Sequence, residues 1–322
     1  ASTQDPDGIN AVAGYGYDTG GNLATVADPN NGVTSYVRDD LGNLLSATSP
    51  DTGTTVYTYD EAGNLLTKTT ASGSPEALTL EYSYDALNRL TLVTTPNPAD
   101  DVRYSYDDCV NGSGRMCGVS NGYVNVFYQY DGFGNISAHQ GIRFTHDATN
   151  RLQEVEYPSG TRIGYAYDAA GRAGYVDMTL NGVTRVLASN VQYMPFGDMT
   201  AMTFGNGHVL SQDYDIAYRL VHQRIPSVLQ LDYVDYDASG NIRQRDISAA
   251  DHVDSNYYTY DSLGRIFTAE GVFGSGWNYD YDRNGNRIMG NEGLPVILGY
   301  ETGSNRLDQI GSSDVILDVA GN

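Results

Sequence analysis

The chain has 322 residues with 40 acids against 18 bases, a formal charge of −22, and 37 glycines and 27 tyrosines beside only 10 prolines. This balance excludes collagen-like and disordered chains, and its negative field argues against a nucleic-acid partner. No run approaches the ~18 apolar residues of a membrane helix, so membrane insertion is not expected.

Read from its start, the chain repeats Tyr-Asp-x-x-Gly-Asn/Arg, in most copies followed by an apolar residue. Strict copies open at Tyr17, Tyr59, Tyr130, Tyr167, Tyr236, Tyr260 and Tyr281. Their turn residues are Asp18 and Gly21, Asp60 and Gly63, Asp131 and Gly134, Asp168 and Gly171, Asp237 and Gly240, Asp261 and Gly264, and Asp282 and Gly285. Degenerate copies open at Arg38, Tyr84, Tyr106, His146, Tyr214 and Tyr300, and Leu317-Asp318 begins one more. Self-similarity at a period in the low twenties marks a repeat architecture.

Upstream of each Asp, aromatic residues alternate with small or polar ones, as in Tyr57-Thr58-Tyr59 and Tyr258-Thr259-Tyr260. Period two with β-favouring residues reads as a strand carrying both tyrosines on one face. Asp closes the strand by accepting hydrogen bonds from amides two or three residues on, and Gly supplies the positive φ that turns the chain. The following residues, such as Asn64-Leu65-Leu66, begin the partner strand. Asp-to-Asp spacings from Asp18 to Asp168 run 21, 21, 25, 22, 24, 16 and 21, so the turn is constant while the far-side loops vary. Two strands per unit predict about 28 strands and a sheet edge of roughly 130 Å if unrolled. Accumulated twist disfavours a flat sheet of that length, so the expected fold is all-β: antiparallel hairpins forming a long curled or spiralling sheet, a shell- or barrel-like ribbon.

The acidity follows from the repeat. Fourteen of the 40 acids occupy the motif's acidic slot, leaving 26 against 18 bases elsewhere. Most of the charge is turn chemistry. The rhythm breaks between Asp168 and Asp215, irregular around residues 175–213, where Tyr193-Met194-Pro195-Phe196-Gly197-Asp198 and Phe204-Gly205-Asn206-Gly207 read as an eroded repeat, with a domain junction as the other reading. One array of about 14 units over residues 1–322 is expected. Ala1 without a Met or hydrophobic signal stretch, and a final copy cut off after Gly321-Asn322, are read as marks of a processed or excised piece of a longer protein.

These residues resemble the YD repeats of the Rhs family, also found in the C component of Tc insecticidal toxins, in bacterial wall-associated proteins and in teneurins. The resemblance covers Tyr17 to Asn322. It implies a sheet strip spiralling into a hollow shell, and an activity of enclosing a toxin or displaying an interaction surface, without catalysis. The closing segment with self-cleaving aspartates found in toxin-type members has no counterpart here.

Cys109 and Cys117 flank an enlarged turn after Asp107; a disulfide is the leading reading and two buried thiols the alternative. Asp235, Asp237, Ser239 and Asp246 mimic a calcium loop, against the simpler reading that Asp237 is an ordinary repeat turn preceded by an Asp. His139, His146, His208, His222 and His252 lack metal spacing. No metal centre, cofactor or catalytic motif is expected. The tyrosines are read as cross-strand ladders, with a sugar-binding platform including Trp277 as the alternative. The leading function is a non-enzymatic scaffold of a secreted or cell-surface protein, its partners the remainder of its own polypeptide or a toxin cargo. The runner-up is a module binding glycans or a cell-surface protein. Exposed strand edges add possible end-to-end self-association.

Overall fold

The computed structural model describes residues 11–249, 251–271, 276–291 and 295–318. Within them lie 29 strands of one open antiparallel sheet, with a single 3-10 turn at Pro98–Asp100. Ladders join strands consecutive in sequence, so the chain is a meander of hairpins. Two compact units divide it: one holds the described parts of Ala1–Arg103, Asn121–Tyr123 and Thr259–Asn322, the other Tyr104–Ser120 and Val124–Tyr258.

The hairpin β5 (Gly53–Tyr59) to β6 (Leu65–Thr70) shows how the motif folds. Asp60 N–H donates to Asn64 O at 2.9 Å and Gly63 N–H donates to Asp60 O at 3.0 Å. Gly63 sits at φ +84. The ladder slips by one residue between Thr58 and Tyr59, the mark of a tight turn closed by a left-handed residue and a bulge. Where the glycine is missing, the same slot holds Asn88 at φ 59, Asn150 at φ 62 and Tyr218 at φ 62. Asn tolerates that conformation through local hydrogen bonding; Tyr is a true outlier there.

The irregular stretch keeps this geometry. At Met194 the Asp slot has lost its carboxylate, yet Met194 N–H donates to Asp198 O at 2.9 Å and Gly197 N–H donates to Met194 O. The strands β17 (Val183–Tyr193) and β18 (Met199–Phe204) therefore form a hairpin like the rest.

Burial is sparse. Among the described residues, the buried apolar side chains are Ala71, Cys117, Val155, Leu210 and Ala269, joined by the polar Asp101 and Asn256. Among the described residues, contacts between strands join neighbours along the sheet. A domain normally buries one sheet face against another layer. With so few side chains buried among the described residues, links between hairpins carry much of the cohesion.

Candidate functional site

The repeated site is the junction between one Tyr-Asp turn and the next hairpin. In each turn the Asp carboxylate is fully committed. In Asp60, Oδ1 accepts from Ala62 N at 2.9 Å and Asn64 N at 2.8 Å, while Oδ2 accepts from Asn64 Nδ2 at 2.9 Å. The amides served lie two and four residues on, correcting the two-or-three expected from sequence, because the bulge brings the fourth residue's N–H under the carboxylate. In Asp168 the same oxygens take Ala170 N, Arg172 N and Arg172 Nε, each at 2.9 Å. Asp131 and Asp237 repeat the pattern with Asn135 and Asn241. Asp261 does so with Arg265, Asp282 with Asn286 and Asp18 with Asn22. Gly21, Gly63, Gly134, Gly171, Gly240, Gly264 and Gly285 all have φ between 76 and 94.

These bonds hold the carboxyls below their ordinary range. In Asp60 the Asn64 side chain is the largest cause; in Asp168 and Asp215 it is the backbone amide of the Arg four residues on. Asp18, Asp39, Asp85, Asp131, Asp147 and Asp237 shift the same way. A depressed carboxyl stabilises the fold above its unfolded-state pKa and loses that contribution as pH falls through the folded-state value. Stability is therefore expected to be flat from neutral pH to about pH 5 and to drop below about pH 4 as many turns protonate together. Circular dichroism across an acid series checks this; loss of structure between pH 5 and 7 would contradict it.

The motif tyrosine reaches backwards over the preceding hairpin. Its hydroxyl donates to the backbone carbonyl of the apolar residue after the previous turn: Tyr59 to Leu44 at 3.0 Å, Tyr84 to Leu65 at 3.0 Å, Tyr167 to Leu152 at 2.6 Å and Tyr193 to Ala173 at 2.7 Å. Tyr130, Tyr214 and Tyr236 do likewise toward Met116, Met199 and Leu220, and Tyr300 reaches the carbonyl of Arg287, which stands in the same place after its turn. Burial raises the hydroxyl pKa of Tyr59, Tyr84, Tyr214, Tyr236 and Tyr300, which keeps them donors.

Where the turn ends in Arg, a second link forms. The guanidinium that pairs with its own Asp also lies over the next motif tyrosine: Arg151 over Tyr167 at 4.6 Å, Arg172 over Tyr193 at 4.5 Å, Arg219 over Tyr236 at 4.6 Å and Arg265 over Tyr281 at 4.7 Å. Arg172 and Arg265 additionally donate to Met194 O and Asp282 O, each at 2.9 Å. A planar fork can bridge a carboxylate and stack on a ring at once, which an ammonium cannot. The chain accordingly has one lysine, Lys68, among its 18 bases. The tyrosines are thus held by carbonyls and guanidinium faces, where sequence reading expected ring-on-ring ladders; ring contacts are seen at Tyr128, His139 and Phe144. Tyr236→Phe is expected to cost about 1 kcal/mol. Arg219→Lys should lose the stacking component, read as a lower midpoint in urea.

His146 stands where other copies have the tyrosine. It has no hydroxyl for the clasp; its Nδ1 is buried without a hydrogen bond, 3.7 Å from Asp131 Oδ2. His222 Nδ1 meets Asp232 Oδ1 at 2.6 Å, where burial opposes ionisation but hydrogen bonds from Gln230 and His222 hold the carboxyl low.

Cys109 and Cys117 are joined by a disulfide with Cα atoms 5.5 Å apart. The loop it closes leans on the next hairpin: Tyr130 N–H donates to Val110 O at 3.1 Å and Asn111 Nδ2 to Tyr130 O at 2.8 Å. Loop-closure entropy gives Cys109→Ser/Cys117→Ser a cost of about 2–3 kcal/mol. Equal urea midpoints with and without reductant would contradict this.

The calcium candidates are not gathered. Asp237 serves its own turn, with Ser239 N–H donating to its Oδ1. Asp235 faces Arg243 at 3.8 Å, and Asp246 lies across from Asp232 and accepts from Gln244. Among the described residues no three His, Cys, Asp or Glu side chains converge to hold a metal ion. No helix there is long and apolar enough to cross a membrane.

One junction was not legible at all. In the first unit, the far-side loop 28–32 meets the turn 282–286: Asn30 N–H donates to Asn284 Oδ1 at 3.1 Å and Asn30 Nδ2 to Asp282 Oδ2 at 2.8 Å. Asn305 is the centre of this seam. Its N–H donates to Asp51 Oδ1 at 2.6 Å, and its Nδ2 to Asp51 Oδ2 at 3.0 Å and Asp28 Oδ2 at 3.2 Å. Its Oδ1 accepts from Asn284 and Asn286.

The RHS Repeat family matches residues 17–54, 38–75 and 146–173. No curated protein sequence matches significantly. Among solved structures, the TcdB2–TccC3 complex overlays 97% of this chain with a TM-score of 0.83 at 20% identity, over 20% of its own chain. The Photorhabdus luminescens Tc holotoxin pore overlays 97% with a TM-score of 0.81 at 20% identity, over 19% of its own. The chain thus spans about one fifth of the length of the toxin chains it matches. It carries RHS repeats at residues 17–75 and 146–173, and its described hairpins share the fold of these Tc toxin chains almost end to end.

Proposed function

We propose that the chain is a non-catalytic wall segment, one array within a longer secreted RHS-repeat polypeptide, that helps enclose or display a toxin or effector. The reading rests above all on fold: 97% of the chain overlays Tc toxin chains of which it spans a fifth. The clasp geometry supports it. Each Asp turn spends its carboxylate on its own amides, and its tyrosine, with the arginine where one is present, on the neighbouring hairpin, which suits a continuous wall better than a reaction centre. Its partners are the rest of its polypeptide and the cargo.

Limited proteolysis of the full polypeptide tests this. A cargo segment resistant to protease while the array is folded, and digested once the clasps are broken by paired Tyr→Ala substitutions, supports enclosure. Equal digestion in both states rejects it. Saturable glycan or cell-surface binding by a protein whose cargo is never protected would favour a binding module instead.

A further inference from the structure

One hairpin tip carries chemistry that the repeat does not use. Asn-Gly occurs six times in the chain, with its asparagine at residues 31, 111, 121, 181, 206 and 284. In such a pair the glycine nitrogen can attack the side-chain carbonyl carbon of the asparagine, because no side chain on the glycine crowds the approach. Five of the six are restrained at the attacking atom, whose N–H donates a hydrogen bond. Gly32 donates to Asp28 Oδ1 at 2.8 Å, Gly112 to Cys109 O at 2.9 Å, Gly122 to Ala99 O at 2.8 Å, Gly207 to Phe204 O at 2.9 Å and Gly285 to Asp282 O at 3.2 Å. In four of these five the asparagine side chain is hydrogen-bonded as well, at 111, 121, 206 and 284.

Asn181-Gly182 is the exception. Among the described residues, neither the Asn181 side chain nor the Gly182 N–H has a hydrogen-bond partner. The pair is the two-residue turn between β16 (Ala173–Leu180) and β17, with Leu180 opposite Val183. Its φ values are 51 and 76, the doubly left-handed turn for which Asn-Gly is the preferred sequence. Ring closure requires this turn to open, and its surroundings resist little. On one side the ladder with β15 (Arg162–Tyr167) stops at Thr179; on the other, the ladder with β18 reaches only to Ala188. The tip therefore extends past both neighbouring strands, with Leu180 41% and Val183 56% exposed. Few buried contacts and solvent-exposed backbone bonds are what let a segment open locally.

We infer that Asn181 is a spontaneous modification site of this chain, converted by water to aspartate and isoaspartate. The Gly182 nitrogen gives up its proton and bonds to Asn181 Cγ, the Cγ–Nδ2 bond breaks, and the amide nitrogen takes up a proton and leaves as ammonia. Water then opens the five-membered imide at either carbonyl carbon. Opening at Cγ restores the ordinary backbone with an Asp side chain. Opening at the backbone carbonyl leaves the chain running through the side chain, one methylene longer. Either product adds a negative charge at neutral pH. A two-residue turn has no slack for the extra methylene, so isoaspartate unpairs Leu180 from Val183 and loosens the far end of the hairpin. The reaction needs only water and is independent of the wall-segment reading.

Peptide mapping by mass spectrometry, after incubation at mildly alkaline pH in the folded state and in urea, tests it. The mass gain of deamidation and the isoaspartate product are scored at each of the six sites. A hydrogen bond that must break before attack slows a site by about tenfold, so in the folded chain Asn181 is expected to react about tenfold faster than any of the other five. In urea the six are expected to react at similar rates, since each has the same neighbour and none is held in a turn. Asn181→Gly keeps a residue suited to positive φ; it removes the fast site and leaves the other five rates unchanged. In the modified protein, hydrogen exchange rises at residues 180–183 and not at the turn 194–198. Equal rates at the six sites in the folded chain, a faster site elsewhere, or a lead at Asn181 that persists in urea overturns the inference.

Discussion

Gly205→Ala is expected to be among the most damaging single substitutions in the chain, costing about 3 kcal/mol or more. A Cβ on Gly205 would stand 1.9 Å from the carbonyl oxygen of Val186 and 2.9 Å from its carbon. Both are backbone atoms, so no side-chain rotation relieves the overlap. The same residue donates its N–H to Leu187 O at 2.9 Å, so shifting the backbone to admit the methyl also breaks this bond. Gly63→Ala is the control. A Cβ there meets nothing within 4 Å, but φ is +84, and the left-handed conformation alone costs about 1–2 kcal/mol. Urea unfolding of both variants, followed by hydrogen exchange at the amide of residue 205 and its neighbours, measures the difference. If Gly205→Ala is no worse than Gly63→Ala, the close approach of the two backbones is not a constraint.

The second large effect is expected at Asn305. Asn305→Ala removes two donations to carboxylates and two acceptances from Asn284 and Asn286. Hydrogen bonds to charged groups contribute about 1.5–3 kcal/mol each, but this seam is only partly buried and water recovers some of that loss. A net cost of about 2–4 kcal/mol is expected, concentrated in the first unit. The loops 28–32 and 50–52 should exchange their amides faster while the hairpins of the second unit are unchanged. Asn64→Ala supplies the comparison: it disturbs its own turn and the bond from Asn64 Nδ2 to Asn88 Oδ1, but no seam. Unchanged exchange in loops 28–32 and 50–52 of the Asn305 variant would show that the seam does not hold the first unit together. Repeat arrays unfold locally, so residue-level exchange is a better readout than one global midpoint.

The local fold was open to sequence reading because its causes lie within five residues. An Asp at the first turn position, a left-handed residue at the fourth and an Asn or Arg at the fifth determine the hydrogen bonds among themselves. Asn88 and Asn150 mark the slot even where glycine is absent. At Met194 the sequence read as an eroded repeat with a domain junction as the other reading, because the feature that identifies a copy, the carboxylate, is the one that was replaced there. The same replacement leaves the backbone turn intact, since Met194 O still accepts from Gly197 N–H. The candidate junction was half legible. The tyrosines and arginines could be counted, but not their targets.

Those targets separate what the sequence determined from what only tertiary structure decided. Alternation, turn chemistry and the origin of the negative charge are local, and the sequence by itself determined them. The hydroxyl of Tyr167 reaches the carbonyl of Leu152, 15 residues earlier, because antiparallel pairing lays one hairpin beside the last; no spacing rule within the motif specifies that atom. The meeting of Asp51 with Asn305, 254 residues apart, depends on twist summed over many strands, each adding a rotation that its own sequence barely records. Small local rotations settle the partner only when all of them have accumulated, so the hairpin was readable from the chain and the seam was not.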